Sequence, residues 1–116
     1  MFDNTGERVS NMTAKEAFAE IKGKFAENEE TVKEVNGVFQ FNVSGDGGGS
    51  WVMDCKNAEI IEGTVDDPDT TLECTEEDFL AIYDGSMSGM MAFTMGKLKV
   101  TGNLPLSLKI QDLLTL

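Results

Sequence analysis

The sequence predicts one α+β domain, a five-stranded, largely antiparallel sheet with helices over one face. Three observations predict it. Apolar residues recur at helical spacing near the start of the chain, and two alternating runs then flank a glycine-rich turn. A fifth alternating run returns only after a helical excursion, so helices and strands share one layered core. At 116 residues the chain fits a single domain able to bury a core without metal or disulfide staples. It shows no internal repeat.

Met1 to Met12 reads as a loose polar arm, leaving residues 13–116 as the domain. Thr13-Ala14-Lys15-Glu16 has the capping-box pattern and opens the first helix. Ala14, Ala17, Phe18, Ile21 and Phe25 share its apolar face, and the helix runs out near Asn28. From Val35 to Val43 the period falls to two, with Phe39, Phe41 and Val43 on one side. Asp46-Gly47-Gly48-Gly49 turns the chain into a second strand, where Trp51, Met53 and Cys55 alternate with Val52, Asp54 and Lys56. Glu59 to Val65 and Thr70 to Thr75 are strands three and four, joined by Asp66-Asp67-Pro68-Asp69.

Thr75 caps a second helix, with Asp78 completing a capping box, and Gly85 ends it. Phe79, Ile82 and Tyr83 form its apolar face. Ser88 to Met95 is a short helical piece, and Lys97 to Thr101 the fifth strand with Leu98 and Val100 facing in. A last helix runs from Leu104 to about Leu114, with Pro105 suited to its first turn. Leu106, Ile110, Leu113 and Leu114 make one arc of that helix. Leu104 and Leu108 lie off it, with Gln111 between the two groups. A helix lying on a sheet needs one apolar stripe. The second group requires another surface, either protein core or a ligand.

Charge and composition exclude several functions. The net charge of −12 repels nucleic-acid phosphates, so no nucleic-acid partner is expected. With no histidine, no Ser-His-Asp or Cys-His set exists, and the usual proton shuttle is missing. Cys55 and Cys74 lack a Cys-x-x-Cys arrangement and cannot by themselves hold zinc. Each sits in an apolar strand, as buried reduced thiols do. No run approaches 18 apolar residues, and Met1 to Met12 has no apolar signal core.

Three motifs fail on inspection. Ser44 to Ser50 lacks the Gly-Lys-Ser/Thr ending of a phosphate loop and joins strand to strand. Asp66, Asp67 and Asp69 do not have EF-hand spacing. Glu76, Glu77 and Asp78 occupy a helix's first turn, where the dipole favours acids. No metal or cofactor is expected.

Apolar surplus remains. Seven phenylalanines and seven methionines are many large groups for this length. Five methionines are Met53, Met87, Met90, Met91 and Met95. Unbranched thioethers fill core gaps and also adapt to ligands of varied shape. The surplus fits an ordinary core or an apolar pocket between helices and sheet.

The same residues resemble the sterol carrier protein 2 family, the sterol-binding or non-specific lipid-transfer domain. Phe18-Ala19-Glu20-Ile21 through Phe25 is similar to the family's first helix, and Asn36-Gly37-Val38-Phe39-Gln40-Phe41 to its first strand. Trp51-Val52-Met53-Asp54-Cys55-Lys56-Asn57 resembles its Trp-x-x-Asp-x-Lys-Asn strand. Gly96-Lys97-Leu98-Lys99-Val100-Thr101-Gly102-Asn103 resembles its most diagnostic run, followed by Leu108-Lys109-Ile110-Gln111 in an apolar helix. The resemblance covers Thr13 to Leu114.

It implies an apolar lipid tunnel between helices and sheet, and a non-enzymatic carrier of a fatty acid, fatty acyl-CoA, sterol or phospholipid. The lipid would move between membranes or enzymes. The alternative is an interaction domain, or an accessory domain presenting lipid to a catalytic chain. The motif residues Trp51, Asp54, Lys56, Lys97, Lys99 and Asn103 are expected to be structural, with Asp54 and Lys56 available to pair across strands. Expected lipid contacts are Phe18, Ile21 and Phe25 of the first helix, and Phe79 and Ile82 of the second. Met90, Met91, Phe93 and Met95 follow in the short helix, then Leu104 and Leu108 in the last, where Gln111 would orient the ligand's polar end.

The resemblance also implies an intracellular monomer touching membranes transiently, in the peroxisome or the cytosol. Two features depart from the family. Thr13 to Glu30 holds three lysines against five glutamates where relatives are often basic. Leu114-Thr115-Leu116 is not a Ser-Lys-Leu peroxisomal address.

Overall fold

A computed structural model describes residues 12–116; the expected arm over residues 1–12 thus lies almost wholly outside it. Helix α1 spans Ala14–Glu27. Thr13 caps it in both directions. Its hydroxyl accepts from the Glu16 N–H (3.1 Å), and the Glu16 carboxylate accepts from the Thr13 N–H (2.9 Å). A helix α2 (Glu29–Val35) then buries Val32 and ends where Asn36 turns left-handed at φ 54°. The expected first strand therefore starts three residues late, as β1 (Val38–Ser44).

Strands β2 (Gly49–Asp54), β3 (Glu59–Glu62), β4 (Thr70–Thr75) and β5 (Lys99–Gly102) complete a sheet of order β3-β2-β1-β4-β5. All pairings are antiparallel except β1 with β4, which runs parallel with Phe41 opposite Leu72. Helices α3 (Glu76–Asp84), α4 (Gly89–Thr94), α5 (Leu104–Ser107) and α6 (Ile110–Leu114) follow from β4 onward.

Consecutive strands that run in the same direction, as β3 and β4 do, usually need a connection of a dozen or more residues. Here residues 63–69 suffice, for a geometric reason. β3 leaves the sheet at Glu62, level with Trp51 and Phe41, and β4 enters at Thr70, level with Phe39. The chain has to step back only two residues along the sheet while crossing β2 and β1. Gly63, at φ +129°, makes the exit that cuts the third strand short of the expected Val65. Gln40, buried on the face opposite Phe39 and Phe41, holds the crossover down. Its Nε2 donates to the Gly63 carbonyl (3.1 Å), and its Oε1 accepts from the Val65 N–H (2.9 Å).

The helix-covered face carries Phe39, Phe41, Trp51, Met53 and Leu72, all buried. Phe18 of α1 lies between two parallel rings, Trp51 at 4.5 Å and Phe79 at 4.8 Å, and Tyr83 continues the stack at 6.3 Å from Phe79. Phe41 meets Phe18 and Phe79 edge-on from the sheet. The stack joins α1, α3, β1 and β2. Glu76 tightens the same corner, its carboxylate accepting from the Ala14 N–H (2.8 Å) of α1 and the Gly47 N–H (3.2 Å) of the hairpin turn. Gly48 cannot carry a side chain here, since a Cβ would strike the Val43 carbonyl, and one on Gly47 would displace the Glu76 carboxylate.

Other expectations are corrected. Thr75 caps α3 by accepting from the Asp78 N–H (3.1 Å), but the box is not closed, since the Asp78 carboxylate faces Lys97 at 4.0 Å. Neither Asp54 nor Lys56 makes the expected ion pair across strands. The Asp54 carboxylate accepts from the Lys56 and Asn57 N–H groups and the Asn57 side chain, shaping the β2–β3 turn. The fifth strand begins at Lys99 rather than Lys97, because the Lys97 and Leu98 N–H groups bond back to Ala92 of α4. The single last helix is two. Leu108 and Lys109 donate to carbonyls three residues back, a tighter turn that separates α5 from α6.

Removing the central ring should show how much of this depends on the stack. Phe18→Ala is expected to lower unfolding stability by about 3–5 kcal/mol, measured by urea denaturation, while Glu20→Ala at the exposed side of the same helix should change it by less than about 1 kcal/mol.

Candidate functional site

The aromatic stack fills the space over β1 and β2. Over β4 and β5 the cover is thinner, consisting of short α4 and the α5–α6 pair. Between these helices and β5 lies an apolar cavity of about 420 Å³, a size common for small-molecule sites. Leu98 and Val100 form its floor, Met90 and Phe93 one wall, and Leu104, Leu108 and Ile110 the other, with Ser88, Ser107 and Gln111 as polar points. Met90, Phe93, Leu104 and Leu108 are themselves exposed at the rim.

Local sequence explains the opening. Ser88 caps α4, its hydroxyl accepting from the Met91 N–H (3.0 Å), and Asn103 caps α5 by accepting from the Leu106 N–H (2.9 Å). Each cap starts a helix too short to span the sheet. α4 turns only Gly89 and Ala92 inward, so it fills little space. The Gln111 Oε1 accepts from the Gly89 N–H at 2.6 Å, tying the two walls together. With that oxygen engaged, the donor NH₂ of the amide is what Gln111 has left to offer.

Five of the twelve residues proposed from sequence line this cavity: Met90, Phe93, Leu104, Leu108 and Gln111. Phe18, Ile21, Phe25, Phe79 and Ile82 do not. They are buried in the solid core, where the rings pack on one another. Met91 and Met95 stand on α4 and at its end, exposed and outside the lining. Sequence reasoning missed Ile110, Ser88, Gly89 and Ser107 as lining residues, and read Leu98 and Val100 only as inward-facing. The unpartnered Leu104 and Leu108 were the signal that pointed here.

A second, open groove at the other end of β4 and β5 is bordered by the polar and charged side chains of Asn42, Glu73, Asp78, Lys97 and Lys99. Cys74 borders it and Cys55 lies in the core; both are unpaired thiols. Burial pushes Cys55 up to about 12, with Asp54 adding to the shift. Burial, then Asp78, does the same to Cys74. The Tyr83 phenol is held above its usual range by burial and by its hydrogen bond to Glu20. None of the three is an activated nucleophile at neutral pH. Among the described residues no cluster of three metal-ligating side chains occurs, and no helix is long and apolar enough to cross a membrane.

The fold and cavity define a class, a small mixed-sheet α+β domain with an apolar ligand pocket under short helices. Comparison with known proteins places it within that class. The family model for the SCP-2 sterol transfer family matches residues 13–115, and the chain belongs to that family. It is thus a lipid-binding and transfer domain. It is 39% identical to human sterol carrier protein 2 over 102 residues, covering 83% of this chain and 19% of that protein. It is 34% identical to rat hydroxysteroid dehydrogenase-like protein 2, covering 86% and 19%. The chain thus spans about a fifth of the length of these relatives. Among solved structures, it resembles palmitated SCP2L2 from Aedes aegypti (TM-score 0.73, 25% identity, 89% of this chain and 95% of that one). The apo sterol carrier protein 2 of Yarrowia lipolytica gives 0.67 at 29% identity, covering 75% and 73%.

The thiols make a prediction with a defined sign. Their folded-state pKa is raised, so the folded protein holds protons that the unfolded chain releases. This contribution to stability is complete below the unfolded thiol value near ~8.5 and is lost as pH rises toward about 12. Cys55 should react with a thiol reagent at pH 8 only at the rate of unfolding, and Cys55→Ser and Cys74→Ser together should flatten part of the alkaline stability loss.

Proposed function

We propose that the cavity between α4, β5 and α5–α6 holds the hydrocarbon part of one lipid, a fatty acid, acyl-CoA, sterol or phospholipid, and that the protein carries it between membranes or enzymes. One observation supports this most, the apolar cavity of about 420 Å³ whose rim is built of exposed large apolar side chains. Burying about fifteen methylene equivalents contributes roughly 12 kcal/mol. Loss of freedom on association costs about 4 kcal/mol or more, which leaves affinity near micromolar. The palmitate named with SCP2L2 of Aedes aegypti makes a fatty acid the first ligand to try. The amide NH₂ of Gln111 suits a carboxylate or hydroxyl oxygen.

The reading assigns no catalysis to this chain, in keeping with a sequence without histidine and with thiols held protonated. Relatives such as hydroxysteroid dehydrogenase-like protein 2 and the peroxisomal multifunctional enzyme A of Dictyostelium discoideum are far longer than the region they share with this chain. That difference favours, as a second reading, a module that presents lipid to an attached or separate catalytic chain. The peroxisomal multifunctional enzyme A among these relatives supports an intracellular, peroxisomal setting for the carrier.

Titration of delipidated protein with a fluorescent fatty acid tests the site. Saturable one-to-one binding, displaced by palmitate, is expected. Val100→Trp, which fills the floor, should weaken it by about tenfold or more, near ~1.4 kcal/mol. Gln111→Leu should reduce the preference for a fatty acid over its methyl ester. Unchanged affinity in the first variant would remove the site, and unchanged preference in the second would remove the role of Gln111.

A further inference from the structure

Three thioethers reach water from one short helix. Among the described residues the exposed methionines are Met90, Met91 and Met95, at 59%, 53% and 57% exposure, all on α4 or at its end. Met53 is fully buried, and Met12 and Met87 are half-buried against the core. Of the exposed three, Met90 also forms a wall of the apolar cavity. The fold does not rest on these side chains, because α4 turns Gly89 and Ala92 toward the core. Chemistry at their sulfurs would therefore act on the site and leave the fold intact.

We propose that Met90 is an oxidation site that sets the lipid affinity of the cavity, a peroxide converting its thioether to the sulfoxide and so releasing the ligand. The proposal rests on the lipid-carrier reading and adds regulation of the same site. The step is balanced with hydrogen peroxide as the oxidant. A sulfur lone pair attacks one peroxide oxygen, the S–O bond forms as the O–O bond breaks, and water leaves. Sulfur gives up two electrons and the peroxide takes them. The product is polar where the thioether was apolar and flexible. Turned into the cavity, its oxygen meets hydrocarbon, which costs free energy. Turned outward, it takes one wall away from the ligand. Both outcomes weaken binding. The cysteines are poor competitors for the oxidant, since the reactive form is the thiolate and burial keeps Cys55 and Cys74 protonated. A thioether needs no deprotonation, so exposure decides, and exposure favours α4. Methionine sulfoxide reductases reverse the change, which makes it a switch.

The test exposes the folded protein to dilute hydrogen peroxide and compares each sample with itself before treatment. Peptide mass spectrometry locates the added oxygen, and titration with a fluorescent fatty acid reads the affinity. Met90, Met91 and Met95 should gain oxygen while Met53 does not, and affinity should fall by about tenfold or more. Methionine sulfoxide reductases of both epimer specificities, with a dithiol, should restore it. Met90→Leu should show no fall on treatment, whereas Met91→Leu with Met95→Leu, both outside the cavity lining, should fall as the wild type does. An equal fall in Met90→Leu would overturn the switch, as would a Met90 that peroxide leaves unoxidised. Oxidation of Met53 with a lowered urea midpoint would also overturn it, since the loss would then be unfolding. The two claims fail differently. No saturable binding before treatment rejects the carrier reading, and binding that full oxidation of Met90 leaves unchanged rejects the switch alone.

Discussion

The ring of Phe18, held flat between Trp51 and Phe79, is the contact on which the rest of the structure depends. Trp51 stands on β2, Phe79 on α3 and Phe41 beneath them on β1, so one side chain of α1 fixes the position of four elements. Close-packed rings leave no void. Because the bulk of the aromatic volume is concentrated over β1 and β2, the remaining helices must cover β4 and β5 with what is left. Of those helices, α4 and α5 are short and turn glycine, alanine and serine toward the interior, while α6 buries Ile110, Leu113 and Leu114. The cavity is the space that small residues leave beside a region packed with large ones.

The elements are joined by polar side chains that each bond to backbone of another element. Glu76 links the starts of α1 and α3 to the glycine turn. Gln40 holds the short crossover that permits β1 and β4 to run parallel. Gln111 ties α6 to α4 across the cavity. Buried backbone groups must be satisfied, and these three side chains do so where regular hydrogen bonding stops. No buried side-chain nitrogen or oxygen among the described residues lacks a partner. The wall held by Gln111 thus combines an ordered backbone with an apolar lining, as a site that must accept hydrocarbon requires.

Most of the fold was legible in the sequence, since its signals are local and consistent. Thr13 with Glu16, the alternation from Phe39 to Val43, the glycines after Asp46 and the cap at Thr75 each specify their element without reference to distant residues. What was not legible depends on tertiary placement. Helix α2 has one buried residue, Val32, too little to form a periodic stripe, although Asn36-Gly37 was a usable stop signal. The break between α5 and α6 lies inside a run with a continuous apolar pattern. For the site, periodicity identified apolar faces but not what each face meets. Phe18, Ile21 and Phe25 meet other rings, whereas Leu104 and Leu108 meet open space. Only the second arc of the last helix distinguished the two in advance.

The central claim is that hydrocarbon enters beside α4 and leaves the aromatic core untouched. The seven methionines allow this to be observed directly. With ¹³C-methyl methionine labelling, NMR spectra would be recorded as palmitate is added to delipidated protein. The Met90 methyl, on the cavity wall, is expected to shift and to show contacts to the ligand chain, while the Met53 methyl, buried beneath the helices, keeps its position. Ligand contacts at Met53 with none at Met90 would place the lipid in the core between α1 and the sheet and contradict the account.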